Sequence, residues 1–339
     1  MKRHPEIIAN ADLTALSTFR LPARATELAI IDSIEQLPAL PPTEGDELVL
    51  GGGSNTVFVA DYPGRILLNR IKGLTTEECG NDVLVTAAAG ENWHRLVRTC
   101  IDRGLHGLEN LVMIPGCVGA APMQNIGAYG TELSERFERL DAWDRSERRM
   151  VALEKTDCAF GYRDSHFKSA EPGRYLITSV TLRLSRHFQS RVDYASLSEA
   201  IQRTGIDQPT PRQLAAAVMR LRRHRLPDPT RLPNAGSFFK NPVVTKGQAE
   251  TLLIEHPQLL HWPMPDGMIK LGAGRMIELL GWKGKSVGDA AVYPNHALVL
   301  VNRGSATASD LLTLVEAIQS SVEGAYGIRL EPEPRLIKT

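Results

Sequence analysis

The chain has 339 residues, 39 basic against 39 acidic side chains, and 42% apolar content. That length accommodates two or three domains with a substantial core, and the charge balance argues against a general nucleic-acid binder, which carries a basic excess. No apolar run approaches the roughly 20 residues that span a bilayer, and the opening MKRHPEIIANADL has basic residues without an apolar centre, so the cytoplasm is the expected compartment.

In chain order, ELAIID reads as a strand leading into a short helix at SIEQLPAL. ELVLGGGSN is a strand halted by Gly51, Gly52 and Gly53, followed by Ser54 and Asn55. Such a turn is either a plain connection or a nest of backbone N–H groups for phosphate. VLVTAAAG passes into ENWHRLVRTCIDRG, where Trp93, Leu96, Val97, Cys100 and Ile101 recur at helical spacing and Gly104 closes the helix. Neither G-x-G-x-x-G nor a Walker loop occurs.

IPGCVGAAPMQNIGAYG, from Ile114 to Gly130, holds four glycines, two prolines and three alanines with almost no charge. A loop of small residues lying flat on a bulky planar ligand explains that composition, with Gln124 and Asn125 bonding ring or ribose edges; a buried packing loop is the alternative. RLDAWDRSERRMVALE has the pattern of a hairpin and RYLITSVTLRL that of a buried strand. Between them, YRDSHFK is a solvated loop or else holds Arg163 as a rigid clamp for a carboxylate.

SRHFQSRVDYASLSEAIQRTGIDQP is polar and irregular, and is expected to run between domains. TPRQLAAAVMRLRRHR then starts a helix, capped by Thr210 with Pro211 at its first position. Its end, RLRRHRLPDP, has four arginines that suit a helix C-terminus or a diphosphate. In NAGSFFKNP, Ser237 either caps a turn or sits in a water-poor place to move one proton, and no G-x-S-x-G elbow supports a hydrolase. HALVLVN reads as a strand, TASDLLTLVEAIQSSVEGAYG as an amphipathic helix with a Thr307/Asp310 capping box, and IRLEPEPRLI as a strand with Glu331 and Glu333 on one side. Cys79, Cys100, Cys117 and Cys158 lie far apart and read as reduced thiols, and the nine histidines show no compact ligand spacing, so no metal site is expected.

GGGSN, IPGCVGAAPMQNIGAYG, GYRDSHFK, LPDP, NAGSFFKNP, GDAAVYPNHALVLVN and LEPEPR, in that order, resemble one family: the UDP-N-acetylenolpyruvoylglucosamine reductases, flavoenzymes of bacterial cell-wall synthesis. The resemblance runs from about Thr18 to Arg335, and the Tyr194 stretch is similar to the form with an extra substrate-covering loop. It implies an α+β chain, with a two-part FAD-binding domain of the vanillyl-alcohol-oxidase type at 17–187, a substrate loop at 188–209, and a smaller α+β substrate-binding domain at 210–339. Gly51 to Asn55, Pro115, Gly116, Gly119, Ala120, Ala121, Gln124, Asn125, Gly127 and Ala128 would hold FAD, and NADPH would reduce it. Tyr194, Arg225, Asn241, Lys283 and His296 match positions lining the nucleotide-sugar pocket. Ala120 and Ala121 depart from a common serine, and Pro334 from a common valine.

The implied reaction is reduction of an enol ether bearing a carboxylate, which leaves negative charge beside that carboxylate. Arg163 is expected to stabilise the enolate, Glu333 in its protonated form to hydrogen-bond it, and Ser237 to supply the proton. A monomer acting on small molecules is implied, without nucleic acid or membrane. An oxidase of small alcohols on the same fold is the alternative enzyme, and a non-catalytic nucleotide-sugar sensor the alternative without chemistry.

Overall fold

A computed structural model describes residues 4–42 and 45–338 in two compact units. Met1–Arg3, Thr43, Glu44 and Thr339 lie outside the described residues. The first unit contains the chain up to Ala11, Ala25–Gly52 and Pro63–His224; the second contains Asp12–Arg24, Gly53–Tyr62 and the chain from Arg225 onward. The chain is α+β.

The first unit has two sheets. One is four-stranded, in the spatial order Glu6–Asp12, Arg24–Ile31, Tyr62–Asn69 and Glu47–Leu50, its last pair parallel. The other is antiparallel and five-stranded: Arg149–Glu154, Phe137–Asp144, Tyr175–Ser185, Asp82–Ala88 and Leu74–Cys79. Asp82–Ala88 follows the period of two expected of a half-covered strand, burying Val83, Val85 and Ala87. Ala29, Ile31, Leu67, Trp143 and Leu176 pack the two sheets together. Helix α1, Trp93–Asp102, turns Trp93, Leu96, Val97 and Cys100 into the larger core, and Asn92 caps it by accepting the Arg95 N–H at 2.9 Å.

Two expectations shift here. The polar stretch after Ser185 is not irregular throughout. After the short helix α2, His166–Ser169, comes α3, Ala195–Gln202, whose Leu197 and Ile201 are buried in the first unit's core. With only two apolar residues four apart, it leaves a faint periodic trace. Helix α4, Pro211–Arg225, forms where expected, but it too packs Leu214, Ala215, Ala217 and Val218 into that core. The compact division therefore falls at 224/225 rather than 210.

In the second unit Asn234–Ser237, Val299–Asn302, Ala290–Val292 and Ser286–Val287 form an antiparallel sheet in that order. The unit also carries α5, Lys246–Glu255, and α6, Ala273–Leu279. Helix α7, Ala308–Tyr326, buries Leu311, Leu314, Ile318 and Val322 in the core that includes Leu300 and Val292. Thr307 and Asp310 form the expected capping box, and Gly327, at φ 65°, ends the helix. The C-terminal strand is shorter than expected: only Arg335–Ile337 is regular, paired in parallel with Thr56–Phe58. Glu333 and Pro334 lie in a bend, so Glu331 and Glu333 do not share one regular strand. Proline has no N–H to give a ladder, which fits the break.

Candidate functional site

In the first unit the Ile114–Gly130 loop is held by its backbone. Gly116 accepts the Trp93 N–H at 3.1 Å, and the Gly119 N–H reaches Ala89 O at 2.9 Å. Gly51 and Gly52 lie against it so closely that a Cβ at Gly52 would come within 2.8 Å of Gly116 Cα, and one at Gly119 within 2.4 Å of Ala89 Cβ. Glycine is a steric requirement at both positions. Pro115 and Ala120 remain exposed, and Gln124, Gly127 and Ala128 are half-buried. Small, uncharged and partly open, this surface fits a flat group such as FAD, and its glycines let the backbone approach closely.

Two residues expected at the cofactor are buried and have partners within the chain. Asn125 is 1% exposed; its amide donates to Glu132 Oε2 at 2.8 Å and Gly161 O at 3.2 Å, and its Oδ1 accepts the Ser134 N–H at 3.0 Å. Its polar atoms brace the loop, which takes a left-handed backbone there at φ 42°. Ala121 is buried in the core, and its N–H is spent on Val118 O at 3.0 Å. Cys117, against Gly51, has its thiol pushed up by burial.

Arg163 belongs to the same unit. It stands at φ 57°, in a tight bridge between Gly161 and Asp164, and Lys168 Nζ donates to its carbonyl at 2.9 Å. Its Nη2 donates to Gly127 O at 2.9 Å and its guanidinium lies over the Tyr162 ring at 5.4 Å, so the cation is fixed beside the small-residue loop. Tyr194, 41% exposed at the start of α3, makes an edge contact with Tyr129 of that loop, centroids 5.4 Å apart.

The second unit brings Ser237, Glu333 and Asn55 together. Asn234 pairs with Val301 and Ser237 with Val299, so one extra residue bulges between them, with Gly236 at φ 74°. Asn234 Oδ1 closes the bulge by accepting the Gly236 N–H at 2.9 Å. Phe238 and Phe239 beyond it are buried, and Ser237 is half-buried. The Glu333 N–H donates to Phe238 O at 2.8 Å, Asn55 Nδ2 donates to Glu333 O at 3.2 Å, and the Arg335 N–H donates to Asn55 O at 2.9 Å. Gly53 O accepts the Thr18 N–H at 3.1 Å. Glu331 points elsewhere, exposed and paired with Lys240 at 2.8 Å.

Arg225, Lys283 and His296 also gather in the second unit. Burial lowers the His296 pKa, the charges of Arg225 and Lys283 lower it further, and Glu278 opposes them. Its Nδ1 accepts the Leu298 N–H at 3.3 Å, which leaves Nε2–H of the neutral ring as a donor. Glu278, unmarked by any motif, fixes Lys283 at 2.7 Å and Arg275 at 3.3 Å. Asn241 Oδ1 accepts the Ala273 N–H at 3.1 Å at the start of α6. Among the described residues no cluster of three or more histidine, cysteine or acidic side chains is placed to hold a metal, and no helix is long and apolar enough to cross a membrane.

The C-terminal domain of UDP-N-acetylenolpyruvoylglucosamine reductases matches residues 228–337, and an FAD-binding domain matches 45–148. UDP-N-acetylenolpyruvoylglucosamine reductase of Bordetella pertussis is 47% identical over 330 residues, covering 96% of this chain and 94% of that one. The enzyme of the same name from Chromobacterium violaceum is 44% identical, covering 97% and 98%. The crystal structure of the reductase from Thermus caldophilus aligns over 99% of both chains with a TM-score of 0.67 and 27% identity.

Proposed function

The chain belongs to the UDP-N-acetylenolpyruvoylglucosamine reductases, FAD-dependent oxidoreductases of peptidoglycan synthesis, and from that premise we propose how its residues divide the reaction. The substrate is the enolpyruvyl ether of UDP-N-acetylglucosamine, the product UDP-N-acetylmuramate, and the reductant NADPH. Bound FAD would supply the redox chemistry of the reaction, taking an electron pair from NADPH and making it available as hydride. The small-residue loop of the first unit, with Gly51 and Gly52, is proposed to hold it, and Gly53, Ser54 and Asn55 to continue that hold.

Hydride arriving at the terminal carbon leaves negative charge on the carbon beside the carboxylate. Arg163 is the cation for that charge: its backbone is pinned at Gly161 and Asp164 and its guanidinium is bonded to Gly127, so little reorganisation is needed as charge develops. A preorganised donor of this kind is worth on the order of 3 kcal/mol in a dry site. Glu333, protonated, donates to the enolic carboxyl. Ser237 Oγ gives its proton to the α-carbon, and its alkoxide is restored by a proton from water. Lys283, Arg225 and the Nε2–H of His296 are donors for the sugar nucleotide, with Asn241 and Tyr194 completing its contacts.

One bond carries the pairing of proton donor and carboxyl: the Glu333 N–H to Phe238 O at 2.8 Å, which ties Glu333 to the residue following Ser237. The proposed setting is the cytoplasm, where NADPH and nucleotide sugars are made, with the enzyme working as a monomer. The test is anaerobic. NADPH is expected to bleach the bound flavin, and enolpyruvyl UDP-N-acetylglucosamine to restore its colour. A flavin bleached by simple alcohols, and indifferent to the enolpyruvyl sugar once reduced, would overturn the reading.

A further inference from the structure

Within the first unit, side-chain hydrogen bonds join the turn that carries Arg163 to the Ile114–Gly130 loop. Ser165 Oγ donates to Met123 O at 2.7 Å, Asn125 Nδ2 to Gly161 O at 3.2 Å, and Arg163 Nη2 to Gly127 O at 2.9 Å. The contacts fall on alternate residues of both segments, so Arg163 is flanked on either side, at Gly161 and Ser165, by a bond to the loop. Gly127 makes room for this: a Cβ there would lie 3.1 Å from Arg163 Nη1 and 3.0 Å from Glu132 Cγ.

Ser165 is 2% exposed and precedes α2 as its N-cap residue, where a serine hydroxyl ordinarily accepts an N–H of the first turn. It makes no such bond, and its hydroxyl is turned outward to the loop instead. Phe167, buried in the first unit's core, roots α2, so the turn ends on a fixed element. Asn125 and Arg163 both have left-handed backbones, at φ 42° and 57°, which persist in residues other than glycine only where the surroundings fix them. One bond from the tip of a long arginine side chain would orient the guanidinium but leave the turn beneath it free to shift. We propose that Ser165 and Asn125 are positioning residues for the reduction. They lock the Arg163 turn to the loop assigned to FAD, so that the cation and the cofactor keep one spacing, and they act only through Arg163. A misplacement of about 1 Å can cost on the order of a hundredfold in rate, which is the effect such a lock prevents. The inference rests on the reductase reading.

The test is a double-mutant cycle on the holoenzyme, read anaerobically as single-turnover bleaching by NADPH and recolouring by saturating enolpyruvyl UDP-N-acetylglucosamine. Ser165→Ala is expected to slow recolouring at least fivefold while bleaching stays within twofold of wild type. Introduced into Arg163→Met, the same change is expected to slow recolouring less than twofold further, because the group it positions is already gone. A loss of less than fivefold with Arg163 present overturns the inference. So does an equal slowing of both phases, or a loss of the same factor in the two backgrounds, which is what a general loosening of the fold would give. Should Ser165→Ala not retain FAD, Asn125→Gly removes the amide while tolerating the left-handed backbone. It is held to the same recolouring criteria, at least fivefold with Arg163 and less than twofold with Arg163→Met, and failure of either overturns the inference. A wild-type flavin that NADPH bleaches and the enolpyruvyl sugar leaves colourless strikes the reductase reading instead.

Discussion

Gly53 has φ 61°, and a Cβ there would lie 1.8 Å from the Leu16 carbonyl oxygen. Alanine would meet both a left-handed backbone and a clash with main chain that cannot swing away. Gly53→Ala is expected to cost about 3 kcal/mol or more, read as a lowered urea midpoint. The control is Gly247→Ala in α5, where no atom lies within 4 Å and φ is not positive. It should be neutral, or stabilising by roughly 0.5–1 kcal/mol. Equal losses would contradict the steric account. A glycine-dependent turn at 51–53 was legible from three glycines in a row after a strand, but which of them are sterically required, Gly52 and Gly53, was not. Sequence displays the Asn125 amide but not its burial or its partners Glu132, Gly161 and Ser134.

At the scale of elements, the bulge in Asn234–Ser237 does what no regular strand would. Two residues beyond Asn234 on a flat strand, the pairing partner of Val299 would be Gly236; the extra residue puts Ser237 there instead. Gly236, at φ 74°, has no atom within 4 Å of a Cβ position, so alanine would meet only the conformational penalty, about 1–2 kcal/mol. Gly236→Ala is therefore expected to lower stability by that amount and turnover at least tenfold, as the bulge relaxes and Ser237 turns. Turnover within twofold of wild type, with the stability loss present, would separate the bulge from catalysis. Helices with a cap and a full apolar stripe, α1, α4 and α7, were legible. Helix α3, with Leu197 and Ile201 alone on its buried face, was not. The strand expected through Glu331 failed because two prolines interrupt it.

For the molecule as a whole, chain order and spatial order part company. Asp12–Arg24 and Gly53–Tyr62 belong with the C-terminal unit, drawn there by the parallel pairing of Thr56–Phe58 with Arg335–Ile337 and by Phe19, Leu21 and Val57 in its core. Pairings across more than 270 residues leave no periodic mark, which is why the expected domains were continuous and the observed units are not. The same division gives the chemistry two homes: Arg163 in the first unit, Ser237 and Glu333 in the second. The direct measurement of their shared task follows flavin absorbance anaerobically in Ser237→Ala, first with NADPH and then with the enolpyruvyl sugar. Bleaching at the wild-type rate, followed by recolouring slowed by orders of magnitude, is the predicted result. Recolouring at the wild-type rate, or an equal slowing of both phases, would contradict the claim that this serine delivers the proton.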